Sequence, residues 1–288
     1  MSDTGSFTAV EAAAVPSADL SLRLKQALVA SPLGTRLYRL RQLWEGFRSL
    51  QSYPQYSGIA GQRRCAQLLL SGMCVRGETF LDVGAHIGSV LADVLAHHAN
   101  TPVIAIEAVP AKAAHIQKRF PSVTLHSCAV GDAEGTVQFY VDVKRPGYSS
   151  LSRGENESDV VAIDVQMRRI DDLIPTSRKV GVMKIDVEGA ELQALRGARG
   201  MLERDKPAIC FESTELNDDV AALFDLLGSY GYDLFVPNRL PDLAPALTRE
   251  GFLEAHYHPR RTTDYFAIHR ERREEYRGRA AAALGVHA

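Results

Sequence analysis

Short apolar segments rich in Val and Ile recur along the middle of this chain, and stretches of helical character separate most of them. The segments lack a strict alternation of apolar and polar residues, which is typical of strands buried on both faces. Such strand–helix alternation predicts a parallel sheet covered by helices on both sides. The predicted strands are 79–84, 102–108, 122–130, 180–187, 207–213, 232–237 and 263–270, and the predicted helices are 58–74, 88–98, 110–119, 190–203 and 217–229.

An insertion interrupts this alternation between the third and fourth strands. GTVQFYVDV (135–143) and VVAIDVQMRRIDDLI (160–174) have the pattern of an antiparallel pair, and the segment between them is polar. We therefore expect a small hairpin beside the main sheet.

The composition is that of an ordinary globular protein, with 45% hydrophobic and 24% charged residues among 288. A formal net charge of −2 gives no global attraction for nucleic acid or acidic lipid. The four cysteines form no CxxC pair, which favours reduced, buried thiols. The start of the chain lacks the pattern of a signal peptide, and no apolar stretch approaches the ~20 residues of a membrane span. A cytoplasmic location is expected.

Three regions are expected along the chain. Residues 1–55 would form an extension with a disordered start and, over 20–50, helices that cap the domain; a basic amphipathic helix for a membrane or partner is the alternative. Residues 56–270 would form the main domain. The tail 271–288 mixes charge with alanine, so we expect a frayed helix there rather than an Arg-rich binding arm.

The segment FLDVGAHIGSV carries the strongest local signal. A strand runs into Asp82 and Gly84, and Gly88 opens the next helix, so the backbone can turn tightly and approach a ligand. A dinucleotide fingerprint would need glycines where His86 and Ser89 stand, and a side chain at 86 would obstruct a pyrophosphate. The turn therefore favours a ligand without phosphate.

Glu107 ends the next predicted strand, where a carboxylate can accept hydrogen bonds from both hydroxyls of a ribose. The alternative is a charge at the start of a helix, because Pro110 follows closely. Together with the glycine turn, Glu107 indicates a nucleoside cofactor whose other end is not a phosphate. S-adenosylmethionine fits that description.

The motifs FLDVGAHIGSV, IAIEAVP, SCAVGD, SSL, IDDLI and MKIDVEGAELQALRGA follow one another in this order. In this the chain resembles the FkbM-type methyltransferases, over residues 60–270. The resemblance implies a Rossmann-like class I methyltransferase fold with a seven-stranded, mostly parallel sheet whose last strand is antiparallel. It also implies O-methylation of a hydroxyl on a sugar or polyketide-like metabolite.

The resemblance also implies roles for individual residues. His86 stands where the family often has Asn and would either hydrogen-bond the cofactor or serve the structure alone. Asp132 has a turn or capping role as its alternative. By position, Asp82, Gly84 and Gly88 would hold the methionine part of the cofactor, Glu107 the ribose, and Ala129 and Asp132 the adenine.

KIDVEGAE (184–191) places carboxylates where a buried strand ends, and buried carboxylates are costly unless they bind, act as a base or cap a helix. An alcohol attacks a methyl group only when its proton is removed. Asp186 and Glu188 are therefore candidates for the base or for a metal ligand. Glu188 and Glu191 have the alternative of stabilising the start of the following helix.

A metal is left open by the sequence. Glu212 ends the fifth strand and Glu215 follows, so both could face the same cleft, and Glu212 is also a candidate for substrate contact. With Asp186 they could offer oxygen ligands to Mg²⁺. His256 and His258 lack a third clear ligand and are interpreted as loop residues.

The long polar loop 144–157 has the character of a lid, and Tyr148, Ser149 and Ser150 within it are candidates for substrate contact.

Several functions compete. An NAD-dependent oxidoreductase is disfavoured because His86 and Ser89 stand where a dinucleotide fingerprint has glycines. A hydrolase is disfavoured because the chain has no G-x-S-x-G motif. A methyltransferase acting on nucleic acid or protein, or a binding protein that keeps the fold without activity, stays open. The best interpretation is an O-methyltransferase that uses S-adenosylmethionine and a small-molecule hydroxyl acceptor, first a sugar in a glycoconjugate or antibiotic, then a polyketide or lipid. Nucleic acid is not an expected partner, no membrane span is expected, and the sequence does not specify the oligomeric state.

Overall fold

The chain divides into two units, Met1–Ser52 and Tyr53–Ala288. The computed structural model describes residue 44 and residues 57–142, 160–214, 220–242, 245–257 and 262–286. The predicted N-terminal helices and the predicted loop 144–157 lie outside the described residues.

Ten strands of the described part of the chain form two sheets. The four strands at the centre of the main sheet are buried almost throughout, as their apolar sequences predict, whereas the edge strand Thr124–His126 is not. The main sheet contains β1 (Thr79–Val83), β2 (Val103–Ile106), β3 (Thr124–His126), β7 (Val180–Ile185), β8 (Ala208–Glu212), β9 (Tyr232–Phe235) and β10 (Asp264–His269); the second sheet contains β4 (Ala129–Val130), β5 (Gly135–Asp142) and β6 (Val160–Arg168).

The main sheet has the order β3-β2-β1-β7-β8-β10-β9. Strands β1, β2, β3, β7 and β8 are parallel, and β10 runs antiparallel to both β8 and β9. This is the class I methyltransferase fold, so the predicted sheet with its antiparallel last strand is confirmed. In the register of the two central strands, Asp82 stands opposite Lys184.

Helices cover both faces of the sheet. Alternate residues of β1 point to opposite cores: Leu81 and Val83 pack into one apolar cluster, and Phe80 packs into the other. The described helices are α1 (Ser57–Gly72), α2 (Ser89–His97), α3 (Pro110–Arg119), α4 (Ile170–Leu173), α5 (Glu191–Arg196), α6 (Arg199–Asp205), α7 (Val220–Ser229), α8 (Arg249–Glu254) and α9 (Arg273–Leu284).

The predicted insertion is present as an antiparallel pair, with Phe139 opposite Ile163. Two boundaries differ from the prediction. The predicted strand 122–130 is divided between the sheets, because β3 pairs with β2 whereas β4 pairs with β6. The predicted strand 160–174 ends at Arg168, and the helical turn α4 follows.

The predicted helix 190–203 is two short helices, α5 and α6, on either side of Gly197. A Cβ on Gly197 would lie 2.0 Å from the carbonyl oxygen of Gly131, so this part of the chain packs directly against the backbone near the second sheet. The close approach explains the break, which the apolar spacing of the segment does not indicate.

The C-terminal tail was predicted to be a frayed helix, but in the structure it is a helix packed against the main sheet. In α9, Tyr276 is fully buried and its hydroxyl donates to the Gly181 carbonyl at 2.5 Å. Arg272 and Arg279 donate to Glu78 at 3.0 and 2.7 Å. The charges that suggested an exposed tail therefore form an ion cluster at the amino-terminal edge of the sheet.

Within the described part of the chain, no helix combines the length and the hydropathy needed to traverse a bilayer.

Candidate active site

A cavity of about 260 Å³ opens at the carboxyl ends of β1, β2 and β7, beside β4 and β5. Open parallel sheets bind ligands at this edge, next to the place where the strand order reverses. The main sheet reverses there, because the chain proceeds outward from β1 to β3 and returns to β7 on the other side of β1.

The turn between β1 and α2 forms one wall of the cavity. Gly84, His86 and Gly88 have φ angles of 77°, 53° and 77°, in the left-handed region that favours glycine. A Cβ on Gly84 would lie 1.9 Å from the Asp186 carbonyl oxygen, so glycine is required for the two strand ends to meet. His86 adopts the same region with a side chain, which marks a strained position.

Glu107 lines the cavity and is 5% exposed. Its two carboxylate oxygens accept hydrogen bonds from the backbone N–H groups of His86, at 2.8 Å, and Val109, at 2.9 Å. Burial raises the pKa of Glu107, while the nearby charge of Lys112 opposes the rise. The two N–H groups fix the carboxylate, and each oxygen keeps a lone pair that could accept a ligand hydroxyl.

Lys184 joins the two central strands. Its Nζ lies 3.5 Å from Asp82 Oδ1 and 3.2 Å from Asp186 Oδ2, and it donates to the Gly84 carbonyl at 3.1 Å. Burial by itself would lower the pKa of Lys184, but the charges of Asp82 and Asp186 raise it above its ordinary value. Asp82 is fully buried and, apart from this ion pair, its carboxylate has no hydrogen-bond partner among the described residues.

Glu188 and Glu191 have different environments although they are close in sequence. Glu188 lines the cavity at a φ of 50°, and within the described residues its carboxylate has no hydrogen bond or ion pair. Burial, followed by the charge of Asp186, raises its pKa to about 7. Glu191 is buried and accepts hydrogen bonds from the N–H groups of Val187 and Gly189, both at 3.1 Å, so it stabilises the turn.

Comparison with known families identifies the chain. Residues 82–234, more than half of its length, match the family described as the methyltransferase FkbM domain. The chain belongs to the FkbM methyltransferase family. This confirms the resemblance drawn from its motifs and assigns methyl transfer as the class of reaction.

Two relatives show the range of the similarity. Methyltransferase 1 of Beauveria bassiana is 26% identical over 191 residues, which cover 57% of this chain and 75% of that protein. The crystal structure of the FkbM methyltransferase of Methylobacillus flagellatus is 22% identical, with a TM-score of 0.43. That alignment covers 69% of this chain and 46% of the other, so the chain corresponds to about half of that protein.

The cavity of this FkbM methyltransferase collects six of the nine residues that the sequence offers for cofactor binding and catalysis. Asp82 and Gly88 adjoin the cavity without lining it. Asp132 is exposed in the turn before β5, outside the cavity wall, which agrees with its alternative role in a turn. The residues that share the cavity wall are Gly84, His86, Glu107, Ala129, Asp186 and Glu188.

Glu212 does not line the cavity. It ends β8, 3.6 Å from Arg63, and burial together with the charges of Asp186 and Asp264 raises its pKa. The other proposed substrate residues, Tyr148, Ser149 and Ser150, lie outside the described residues, as do Glu215 and His258.

No three His, Cys, Asp or Glu side chains in the described ranges are arranged to hold a metal ion. His256 is buried, with Nδ1 2.7 Å from the Phe252 carbonyl and Nε2 2.9 Å from Ser213 Oγ. The residue interpreted as a loop histidine therefore connects α8 to the end of β8.

The cavity residues that the sequence did not single out include Lys112, Cys128, Phe139 and Lys184. Lys184 had a readable signal, since a lysine inside an apolar strand requires a charged partner. The sequence gives no comparable indication for Lys112, Cys128 and Phe139. Their positions in the predicted helices and strands are ordinary in sequence, and they line the cavity only because of the tertiary structure.

Proposed function

We propose that this FkbM methyltransferase transfers the methyl group of S-adenosylmethionine to a hydroxyl of a small-molecule acceptor, first of all a sugar in a glycoconjugate or natural product. The observation that supports this most is the position of Glu107. Its oriented carboxylate lines the same cavity as the glycine turn and the pair Asp186 and Glu188.

The residues present fit this cofactor. Glu107 suits a ribose, and the carboxylates nearby suit a positively charged sulfonium. A pyrophosphate fits poorly, because His86 takes the place of the glycine that a dinucleotide turn needs and Asp186 and Glu188 would repel phosphate. When bound, S-adenosylmethionine supplies an activated methyl group with a neutral leaving group.

The protein must then remove the proton of the acceptor hydroxyl. Asp186 Oδ2 is paired with the Lys184 ammonium at 3.2 Å, so this carboxylate already has a cationic partner. Glu188 lines the cavity with no such partner among the described residues. We assign proton acceptance to Glu188, and to Asp186 the orientation of the acceptor beside it.

Calorimetric titration with S-adenosylmethionine, S-adenosylhomocysteine and NAD⁺ tests the cofactor. We expect the wild type to bind both sulfur nucleosides and not NAD⁺. Glu107→Gln removes charged hydrogen bonds worth roughly 1.5–3 kcal/mol, so binding should weaken about 10- to 150-fold. The matched control is Glu134→Gln, since Glu134 is exposed and pairs with Arg168 away from the cavity.

Transfer of a radiolabelled methyl group to an acceptor panel tests the reaction. The panel contains free and nucleotide-linked sugars, hydroxylated macrolactones and an oligonucleotide. Product on a sugar supports the proposal. Binding of NAD⁺ in place of the sulfur nucleosides, or methylation of the oligonucleotide alone, would overturn it.

A further inference from the structure

The cavity wall contains more carboxylates than Lys184 pairs with. Lys184 lies 3.2 Å from Asp186 and 3.5 Å from the buried Asp82. Glu107 and Glu188 line the same cavity, and among the described side chains neither forms an ion pair with Lys184. Ionised carboxylates that share a small, partly buried site disfavour each other, so a second cation nearby would stabilise both.

Lys112 is that second cation. It lies in the first turn of α3 and lines the cavity together with Glu107 and Glu188. Its backbone N–H donates to the carbonyl of Val109 at 3.0 Å, and the N–H of Val109 donates to the Glu107 carboxylate at 2.9 Å. The start of α3 therefore both holds Glu107 in place and brings a lysine into the same cavity wall.

The charge of Lys112 acts on both carboxylates. Burial raises the pKa of Glu107, and Lys112 has the largest of the effects that lower it. Burial and neighbouring carboxylates raise the pKa of Glu188, and Lys112 again opposes the rise. In return, burial lowers the pKa of Lys112, whereas Glu107 and Glu188 raise it. One ammonium is thus shared between two carboxylates.

The other charged groups near these two carboxylates do not replace Lys112. On Glu107, the charge of Lys184 acts more weakly than that of Lys112. The further groups that act on Glu188 are carboxylates, which make its ionisation more costly: Asp186, Glu191 and Glu212. The remaining titratable side chains of the cavity wall are His86 and Cys128.

We propose that Lys112 is a positioning residue that couples the cofactor site to the base, because its ammonium favours the ionised forms of Glu107 and Glu188 in one cavity. This inference rests on the proposed function, in which Glu107 holds the ribose and Glu188 accepts the proton. An ionised Glu107 can accept hydrogen bonds from both ribose hydroxyls, and only an ionised Glu188 can act as a base. Without the ammonium, each carboxylate protonates more readily.

Carbon-13 NMR of labelled glutamate carboxyl groups in the unliganded protein measures the coupling directly. Glu107→Gln and Glu188→Gln assign the two signals. In Lys112→Met, which removes the charge, both titration midpoints should move to higher pH. Lys112→Arg keeps the charge and should titrate as the wild type does. Lys118→Met is the matched control, since Lys118 is exposed on the same helix and lies outside the cavity wall.

Calorimetry with S-adenosylhomocysteine measures the effect on the cofactor site without turnover. In Lys112→Met, a more readily protonated Glu107 should weaken binding by roughly two- to fivefold, the size typical of one pair of charges that is not fully buried. The loss should be greater at pH 6 than at pH 8. Lys112→Gln, which keeps a polar side chain, should behave in the same way, and Lys118→Met should bind as the wild type does at both pH values.

The outcomes distinguish this inference from the proposed function. Movement of neither midpoint or of only one in Lys112→Met, an Lys112→Arg that titrates like Lys112→Met, or an equal loss of affinity at pH 6 and pH 8 would each overturn the coupling. The cofactor assignment would stand in all three cases. A wild type that does not bind S-adenosylhomocysteine would overturn the proposed function and, with it, the role of Lys112.

Discussion

Lys184 gives different chemical roles to two carboxylates that are two positions apart. It pairs with Asp186 at 3.2 Å and reaches Asp82 at 3.5 Å, which leaves Glu188 outside the ion cluster. The groups that act on Glu188 are the carboxylates Asp186, Glu212 and Glu191 and the ammonium of Lys112. With burial, the three carboxylates make ionisation of Glu188 more costly, and Lys112 opposes them.

The proposed base is therefore expected to control the pH dependence of the reaction. With its pKa raised to about 7, Glu188 is largely protonated below pH 6 and accepts a proton only as the pH rises. The kcat should increase with pH through about 7. Glu188→Gln should lower kcat by roughly 10²- to 10⁴-fold and remove this limb, as measured with saturating substrates.

Asp186→Asn is the informative partner of that variant. Removing the charge at 186 lowers the pKa of Glu188, so the acid limb should move to lower pH, and kcat should fall less than in Glu188→Gln. If instead Asp186→Asn abolishes turnover while Glu188→Gln keeps the limb, the base is Asp186.

The limits of prediction at this scale differ from residue to residue. Glu107, Asp186 and Glu188 stand at the ends of predicted strands, so topology alone predicts that they meet. Phe139 lies in the middle of an inserted strand with regular alternation. The alternation of the strand indicates which neighbouring residues lie on the same face as Phe139. Only the tertiary structure shows that this face lines a cavity.

At the scale of elements, Glu78 fastens α9 to the sheet. It accepts hydrogen bonds from Arg272 and Arg279 and pairs with Lys179 at 2.7 Å. Burial by itself would raise the pKa of Glu78, but the three cations lower it from 4.5 to about 2. The pKa is thus lower in the folded state than in the unfolded chain. The stabilisation is complete above about pH 4.5 and is lost as the pH falls towards 2.

Glu78→Gln should therefore destabilise the protein at pH 7, by on the order of 3 kcal/mol, since it leaves partly buried cations without their partner. The difference from the wild type should shrink as the pH falls towards 2. Urea unfolding at several pH values measures this, with Glu203→Gln as a control at an exposed ion pair. An equal loss at every pH would show that packing and not charge is responsible.

The helices and strands themselves were largely predictable, because buried strands have a distinct apolar sequence pattern. The failures come from contacts between distant segments. The segment 122–130 has the sequence pattern of one continuous apolar strand. In the structure its first part, β3, pairs with β2, and its second part, β4, pairs with β6. The segment 190–203 has continuous helical spacing, but the close approach of Gly197 to Gly131 divides it.

For the whole molecule, cofactor binding should increase the free energy of unfolding. A ligand present at 100 times its Kd adds about 2.7 kcal/mol, which for a domain of this size raises Tm by roughly 5–10 °C. Thermal melting with S-adenosylhomocysteine should show this increase in the wild type and less than half of it in Glu107→Gln at the same concentration. NAD⁺ should leave Tm unchanged, and an equal rise with NAD⁺ would contradict the cofactor assignment.

The contact between Gly84 and the Asp186 carbonyl has a consequence for engineering. No side chain fits between them, so the turn at 84–88 and the segment that carries the proposed base cannot move independently of each other. A designer can change other parts of the cavity wall, such as Phe139 of β5, to alter what the site binds. Residues 82–88 and 184–188 must be kept, moved or transplanted together.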